Sequence, residues 1–264
     1  MSEKNPVVVE VDGPVTTVII DRAEKRNAAN NAVAEGLYDA FKAFETDDQS
    51  KVAVLWGKGG HFCAGADLAA VAGGERATRY ARLQDGSDEG PMGPSRLRLS
   101  KPVIAAVAGY AVAGGIELAL WCDLRVMEES ATFGVFCRRF GVPLIDGGTV
   151  RLPRLIGQSR AMDLILTGRP VDSAEALQFG LANRVVPDGT SREAAEALAH
   201  EIAGFPGACM KMDRANVYDQ WEHSMEDAIL QEFKRGFPMV EAEGKAGAAR
   251  FVSGEGRGGA FKSE

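Results

Sequence analysis

The four cysteines of this 264-residue chain, Cys63, Cys122, Cys137 and Cys209, form no CxxC pair and follow no regular spacing. That argues against a disulfide frame and reads as reduced thiols in a cytoplasmic protein. Histidine is scarcer: His61, His200 and His223 fall in no HxxxH or HExxH pattern, so no metal site is expected. A basic excess is also lacking, since 30 Lys and Arg face 37 Asp and Glu for a net charge of −7. That balance weighs against a nucleic-acid partner. No hydrophobic run is long enough for a membrane span. The longest candidate, 103–116, is 14 uncharged residues, short of the roughly 18 required. Gly109, Gly114 and Gly115 divide that region into a strand, a turn and a helix start, so no membrane partner is expected. The opening MSEKNPVVVEVDG contains no signal-type apolar region. No internal repeat or low-complexity tract is visible.

What is present is ordinary globular composition, 45% hydrophobic and 25% charged. β-Branched runs at 7–11 and 15–21, separated by Asp12-Gly13-Pro14, predict a hairpin. Asn30 or Asn31 then caps a helical pattern with Val33, Leu37, Phe41 and Phe44 on one face. A buried-type strand follows at 52–56. Residues 73–95, rich in glycine and charge with little periodicity, read as a loop or lid with weak helical content, outside the core. Strand 103–107, a glycine turn, helix 115–122 and strand 124–127 continue a strand–strand–helix rhythm, which implies an α/β domain wound as a spiral of small units. Beyond residue 159 the pattern is mostly helical: 159–167, 173–179, 191–203 and 207–250. Ile229, Phe233, Phe237 and Val240 share one side of the last stretch. Core packing is the expectation for that stripe, with a subunit interface as the alternative. The glycine-rich tail 254–264 is expected to order only against another surface.

Two segments share a design. His61-Phe62-Cys63-Ala64-Gly65-Ala66-Asp67-Leu68 and Gly109-Tyr110-Ala111-Val112-Ala113-Gly114-Gly115-Ile116-Glu117-Leu118 each follow a strand and open a helix. Small residues at such a junction leave the first helical N–H groups unshielded. Two junctions meeting in space would offer converging donors to an oxyanion, although close helix–strand packing would explain either one alone. Glu117 shifts the balance. A carboxylate among Ile116, Leu118, Ala119 and Leu120 is costly to bury unless it is bonded or used. Desolvation raises its pKa, and the opposing helix dipole, worth about 0.3–1 kcal/mol, is too weak to cancel that. The group is thereby brought toward the range useful for proton transfer.

FCAGADL at 62–68 and GYAVAGGIELAL at 109–120 followed by CDLRV resemble the enoyl-CoA hydratase/isomerase (crotonase) superfamily, as do DRAEKRNA at 21–28 and GGTVRLPRLIG at 147–157. The resemblance spans roughly residues 7–260. It implies a core of spiral ββα units over 1–199, a helical trimerisation domain over 200–264, and a homotrimer or hexamer. It also implies an acyl-CoA substrate, with coenzyme A as part of that substrate and no separate cofactor. Carried over by position, Ala66 and Gly114 give the oxyanion-hole N–H groups and Glu117 the first catalytic glutamate. Lys25, Arg26, Ala64 and Leu68 fall where the family holds CoA, and a cationic pair there suits phosphates met by an acidic chain. The departure is at Phe133-Gly134-Val135-Phe136-Cys137, where hydratases place a second glutamate and this chain has Cys137. A thiol with an ordinary pKa of about 8.5 is a poor substitute. Asp146 either supplies the missing carboxyl or caps the turn that follows it. Hydration is the expected reaction; isomerisation, hydrolysis or decarboxylation of an acyl-CoA, and acyl-CoA binding with little catalysis, are the alternatives.

Overall fold

The computed structural model describes residues 5–256. Strands β1 (Val7–Asp12) and β2 (Val15–Ile20) form the expected antiparallel hairpin, closed at the Asp12–Val15 pair. Helix α1 (Asn31–Thr46) is capped by Asn30, whose side chain accepts from the Val33 amide at 3.1 Å. Strand β3 (Val52–Gly57), short helices α2 (Leu68–Ala72) and α3 (Ala77–Arg82), and strands β4 (Val103–Val107) and β5 (Tyr110–Val112) follow. Helix α4 (Gly114–Trp121) and strands β6 (Leu124–Glu128) and β7 (Thr132–Gly134) complete the middle of the chain. Next come α5 (Gly148–Ile156), α6 (Gln158–Thr167), β8 (Pro170–Val171), α7 (Ser173–Phe179), β9 (Arg184–Val186) and α8 (Ser191–Ala203). Helices α9 (Gly207–Asp219), α10 (Met225–Met239) and α11 (Lys245–Ser253) end the described chain.

The strands make a six-stranded sheet in the order β1-β2-β3-β4-β6-β9, parallel after the first hairpin, and a smaller β5-β7-β8 sheet beside it. Both faces of the large sheet are covered, so β3 and β4 read as continuous apolar runs. Ala53, Leu55, Val103, Ala105 and Val107 face the main core with Leu37 and Phe41 of α1 and Leu118 of α4. Val52, Val54, Ile104 and Ala106 face Ala195, Leu198 and Ala199 of α8. Among the described residues no helix is long and apolar enough to cross a membrane.

Three sequence readings change. Residues 73–95 have the expected weak helical content in α3 but do not lie outside the core: Leu83 and Met92 are buried, and the stretch from Gly90 to Ser95 is buried throughout. Two interior arginines anchor the segment. Arg76 donates to the carbonyls of Ala29 and Pro91, and Arg79 pairs with the buried Glu89 at 2.6 Å. The stripe on α10 is not monomer core either. Phe233 is 66% exposed and Phe237 59%, beside a groove of about 660 Å³ whose wall includes Met212 and Val240. Finally, residues 199 and 200 lie inside α8, whose buried face continues to Ala203 before the chain breaks helix at 204–206. The far end of the glycine-rich tail, 257–264, lies outside the described residues.

Candidate active site

The two small-residue junctions lie against each other. Cys63 bridges Ala111 in parallel fashion, its N–H donating to Tyr110 O and its carbonyl accepting from Val112 N. The approach is so close that a Cβ on Gly65 would stand 2.8 Å from the Gly114 nitrogen, and one on Gly115 would stand 2.0 Å from Cys63 O. Only glycine fits either place, and Gly65 also holds φ at +91°. Among the described residues, neither the Ala66 nor the Gly114 N–H has a hydrogen-bond acceptor. The chain order therefore delivers two unengaged amide donors to one place, the second at the N-terminus of α4.

All eight residues of α4 are buried, Glu117 included at 2% exposed. Its Oε1 accepts from the amides of Asp146 at 2.9 Å and Gly148 at 2.8 Å. No hydrogen bond to a described residue engages Oε2. Burial, seconded by the nearby Asp146 charge, pushes the Glu117 carboxyl up to about 7, against the pull of the two amides and of Arg151. Glu117 is thus a carboxyl fixed by one oxygen and titrating near neutrality.

Asp146 is brought to the same place. It is 4% exposed, and its Oδ1 accepts from the Met92 amide at 2.8 Å and from the Ser95 hydroxyl. Burial raises its pKa while those two donors and the nearby Arg76 and Arg96 charges lower it. The bonds of its side chain run to the 92–95 segment, while its main-chain amide serves Glu117. Cys137 sits buried in the short helical turn 136–140, its thiol pushed up by burial and by the charge of Glu117. It therefore lies within electrostatic reach of Glu117.

The outer positions form a separate rim. Lys25 and Arg26 are exposed at a tight turn in which Arg26 adopts φ 49°. The Arg26 carbonyl accepts from Ala64 N at 3.0 Å, and its guanidinium lies 5.8 Å from the centroid of Tyr110, which stacks on His61. Leu68 is 43% exposed at the start of α2. The Arg26–Ala64 bond thus links the cationic turn to the segment carrying Ala66.

Sequence reasoning missed Met92 and Ser95, because the glycines and charges around them gave no period. It also assigned no role to Arg151, although a cation in the first turns of a helix opposes the dipole and is a readable anomaly.

The sequence profile described as Enoyl-CoA hydratase/isomerase matches residues 10–255, and the chain belongs to that family. A probable enoyl-CoA hydratase of Rhizobium meliloti (strain 1021) is 38% identical over 249 residues, covering 94% of this chain and 95% of its own. A carnitinyl-CoA dehydratase of Salmonella typhi is 37% identical over 196 residues, 72% of each chain. Among solved structures, an enoyl-CoA hydratase from Mycobacterium tuberculosis H37Rv superposes with a TM-score of 0.87 at 34% identity, covering 95% of this chain and 96% of that one. The spiral α/β core is accordingly the crotonase fold with a helical C-terminal region.

Proposed function

We propose that the protein adds water to, or removes it from, the acyl group of a CoA thioester, using Glu117 and an enolate held by the amides of Ala66 and Gly114. The observation that carries this reading is the buried Glu117 carboxyl, held by two amides with Oε2 unengaged, on the helix that opens with the free Gly114 N–H. In the hydration direction the Glu117 carboxylate takes a proton from water as the water oxygen bonds C3. The C2=C3 electron pair moves toward the thioester oxygen, and the two N–H groups take up the charge that develops there. C2 then gains a proton and the thioester carbonyl re-forms. Removing one donor from such a hole costs about 2.7–4 kcal/mol in transition-state stabilisation.

With cysteine at 137, the second proton-handling group in this reading is Asp146, whose raised pKa favours its carrying the proton delivered to C2. Lys25 and Arg26 meet the CoA phosphates, with Ala64 and Leu68 beside them, and CoA enters as part of the substrate, with no further cofactor in the scheme. Relatives named hydratase and dehydratase support water chemistry over isomerisation. The exposed stripe on α10 supports assembly as a trimer or a hexamer, and four free cysteines, three of them buried, suit the cytoplasm. Turnover against a panel of 2-enoyl, 3-hydroxyacyl and 3-enoyl-CoAs tests the reading. Interconversion of the first two classes is expected; activity confined to double-bond migration or to CoA release would overturn it.

A further inference from the structure

We propose that Arg151 is a positioning residue that joins the buried 90–95 segment to the turn holding Glu117, and so sets both the orientation and the charge environment of that carboxyl. The inference rests on the acid/base reading of Glu117. Arg151 donates through Nη1 to Asp146 O at 2.8 Å and through Nη2 to Ser95 O at 2.7 Å. A planar guanidinium can span two carbonyls on different segments in this way, and an ammonium holds them less firmly. It lies directly over Gly147, where a Cβ would stand 2.3 Å from Nη1 and where φ is +93°. Gly147 is the residue between the two amides, Asp146 and Gly148, that grip Glu117 Oε1.

The other end of the fork reaches the site as well. Ser95 and Met92 both bond Asp146 Oδ1, and a Cβ on Gly114 would stand 2.9 Å from the Met92 sulfur. One guanidinium therefore ties the wall beside the Gly114 donor to the turn that orients the base. Among the described residues Arg151 forms no ion pair, yet it sits near the N-terminus of α5, where the dipole opposes a cation by about 0.3–1 kcal/mol. The charged and titratable groups acting on it are Tyr218 from α9, Asp146, Glu117 and Cys122. Its charge in turn lowers the Glu117 pKa, against burial and Asp146.

The fork and the charge separate in two variants of the full-length protein. Arg151→Met removes both; Arg151→Lys keeps the cation and loses the fork. With 2-butenoyl-CoA as the probe, Arg151→Met should lower plateau kcat about tenfold or more, as expected for a displaced catalytic group. It should also move the acid limb of the pH–rate profile up by about one pH unit. Arg151→Lys should restore the limb while kcat stays low. CoA binding should stay within about twofold in both, since neither touches the Lys25–Arg26 rim. Should Arg151→Met not fold, Arg151→Lys decides alone: wild-type kcat there would overturn the proposal. So would a Met variant that loses only melting temperature, with the pH limb unmoved. Infrared titration of the Glu117 carboxyl, identified by its loss in Glu117→Gln, reads the same charge effect without turnover. A fully active Glu117→Gln would sink the acid/base reading, whereas an unshifted carboxyl band in Arg151→Met would sink this one.

Discussion

Glu117→Gln should abolish most turnover and at the same time make the protein more stable at alkaline pH. Burial lifts the carboxyl from 4.5 to about 7, so the folded state binds more protons than the unfolded state between those values. Stability contributed by this group is full below pH 4.5, falls as pH rises, and is lost above 7. The difference, 7 − 4.5, is 2.5 pH units, or roughly 3 kcal/mol at about 1.36 kcal/mol per unit. About 2 kcal/mol of this should be expressed between pH 5 and 8 after allowing for relaxation of the folded state. Glutamine carries no charge across that range and keeps an oxygen for the Asp146 and Gly148 amides. The melting temperature of the variant relative to wild type should therefore climb by about 4–8 °C from pH 5 to pH 8. In parallel, kcat should fall by about two orders of magnitude or more, the scale of lost acid–base catalysis. Thermal melts across the pH series and steady-state assays check both. A melting difference that stays flat with pH would show that burial does not raise this carboxyl, and the mechanistic role built on it would go too.

Asp146→Asn retains acceptors for the Met92 amide and the Ser95 hydroxyl and keeps its own amide on Glu117, so the fold should hold. Its kcat should drop about 10²-fold, and because one raising influence on Glu117 is gone, the acid limb of the pH–rate profile should move down rather than up. Cys137→Glu, if folded by melting temperature and CoA binding, should give no gain in hydration of 2-butenoyl-CoA and should move that limb up, since another carboxylate would stand near Glu117; a clear gain would show that Asp146 does not handle the second proton, and overpacking at this buried position should cost about 1–3 kcal/mol of stability. Phe233→Asp with Phe237→Asp places charge on the exposed stripe of α10 and should reduce a trimer or larger species to smaller ones in light scattering; an unchanged mass would exclude that stripe from the interface.

The parts of the fold that were legible in the sequence are those where one residue type can mean only one thing. Asn30 before an apolar period announces α1, and the glycine ends and apolar faces of α6 and α7 mark them within a residue or so. Glu117 was legible because a carboxylate in an all-apolar helix must be hydrogen-bonded, used in chemistry, or both, to offset its desolvation. The 73–95 segment was not legible. Its burial depends on Arg76 and Arg79 finding carbonyls and Glu89, partners that only the folded chain supplies. Nor was the fate of the α10 stripe, because an amphipathic period is the same whether the apolar face meets its own core or another chain.

The departure at Cys137 and the presence of Asp146 both bear on the charge around Glu117. A second glutamate at 137 would add a third carboxyl beside Glu117 and Asp146, both already raised by burial. Like charges in one low-dielectric site cannot all ionise, so each added carboxyl pushes the others further from their working range. A thiol at 137 adds no charge at neutral pH, since burial holds it protonated. Asp146 meanwhile reaches the site from the same turn whose amide holds Glu117, so the grip on the base and the second carboxyl move as one unit. Arg151 fastens that unit to the 90–95 segment from outside the reacting centre. Under the proposed water chemistry, Asp146 then stands in for the glutamate that position 137 lacks.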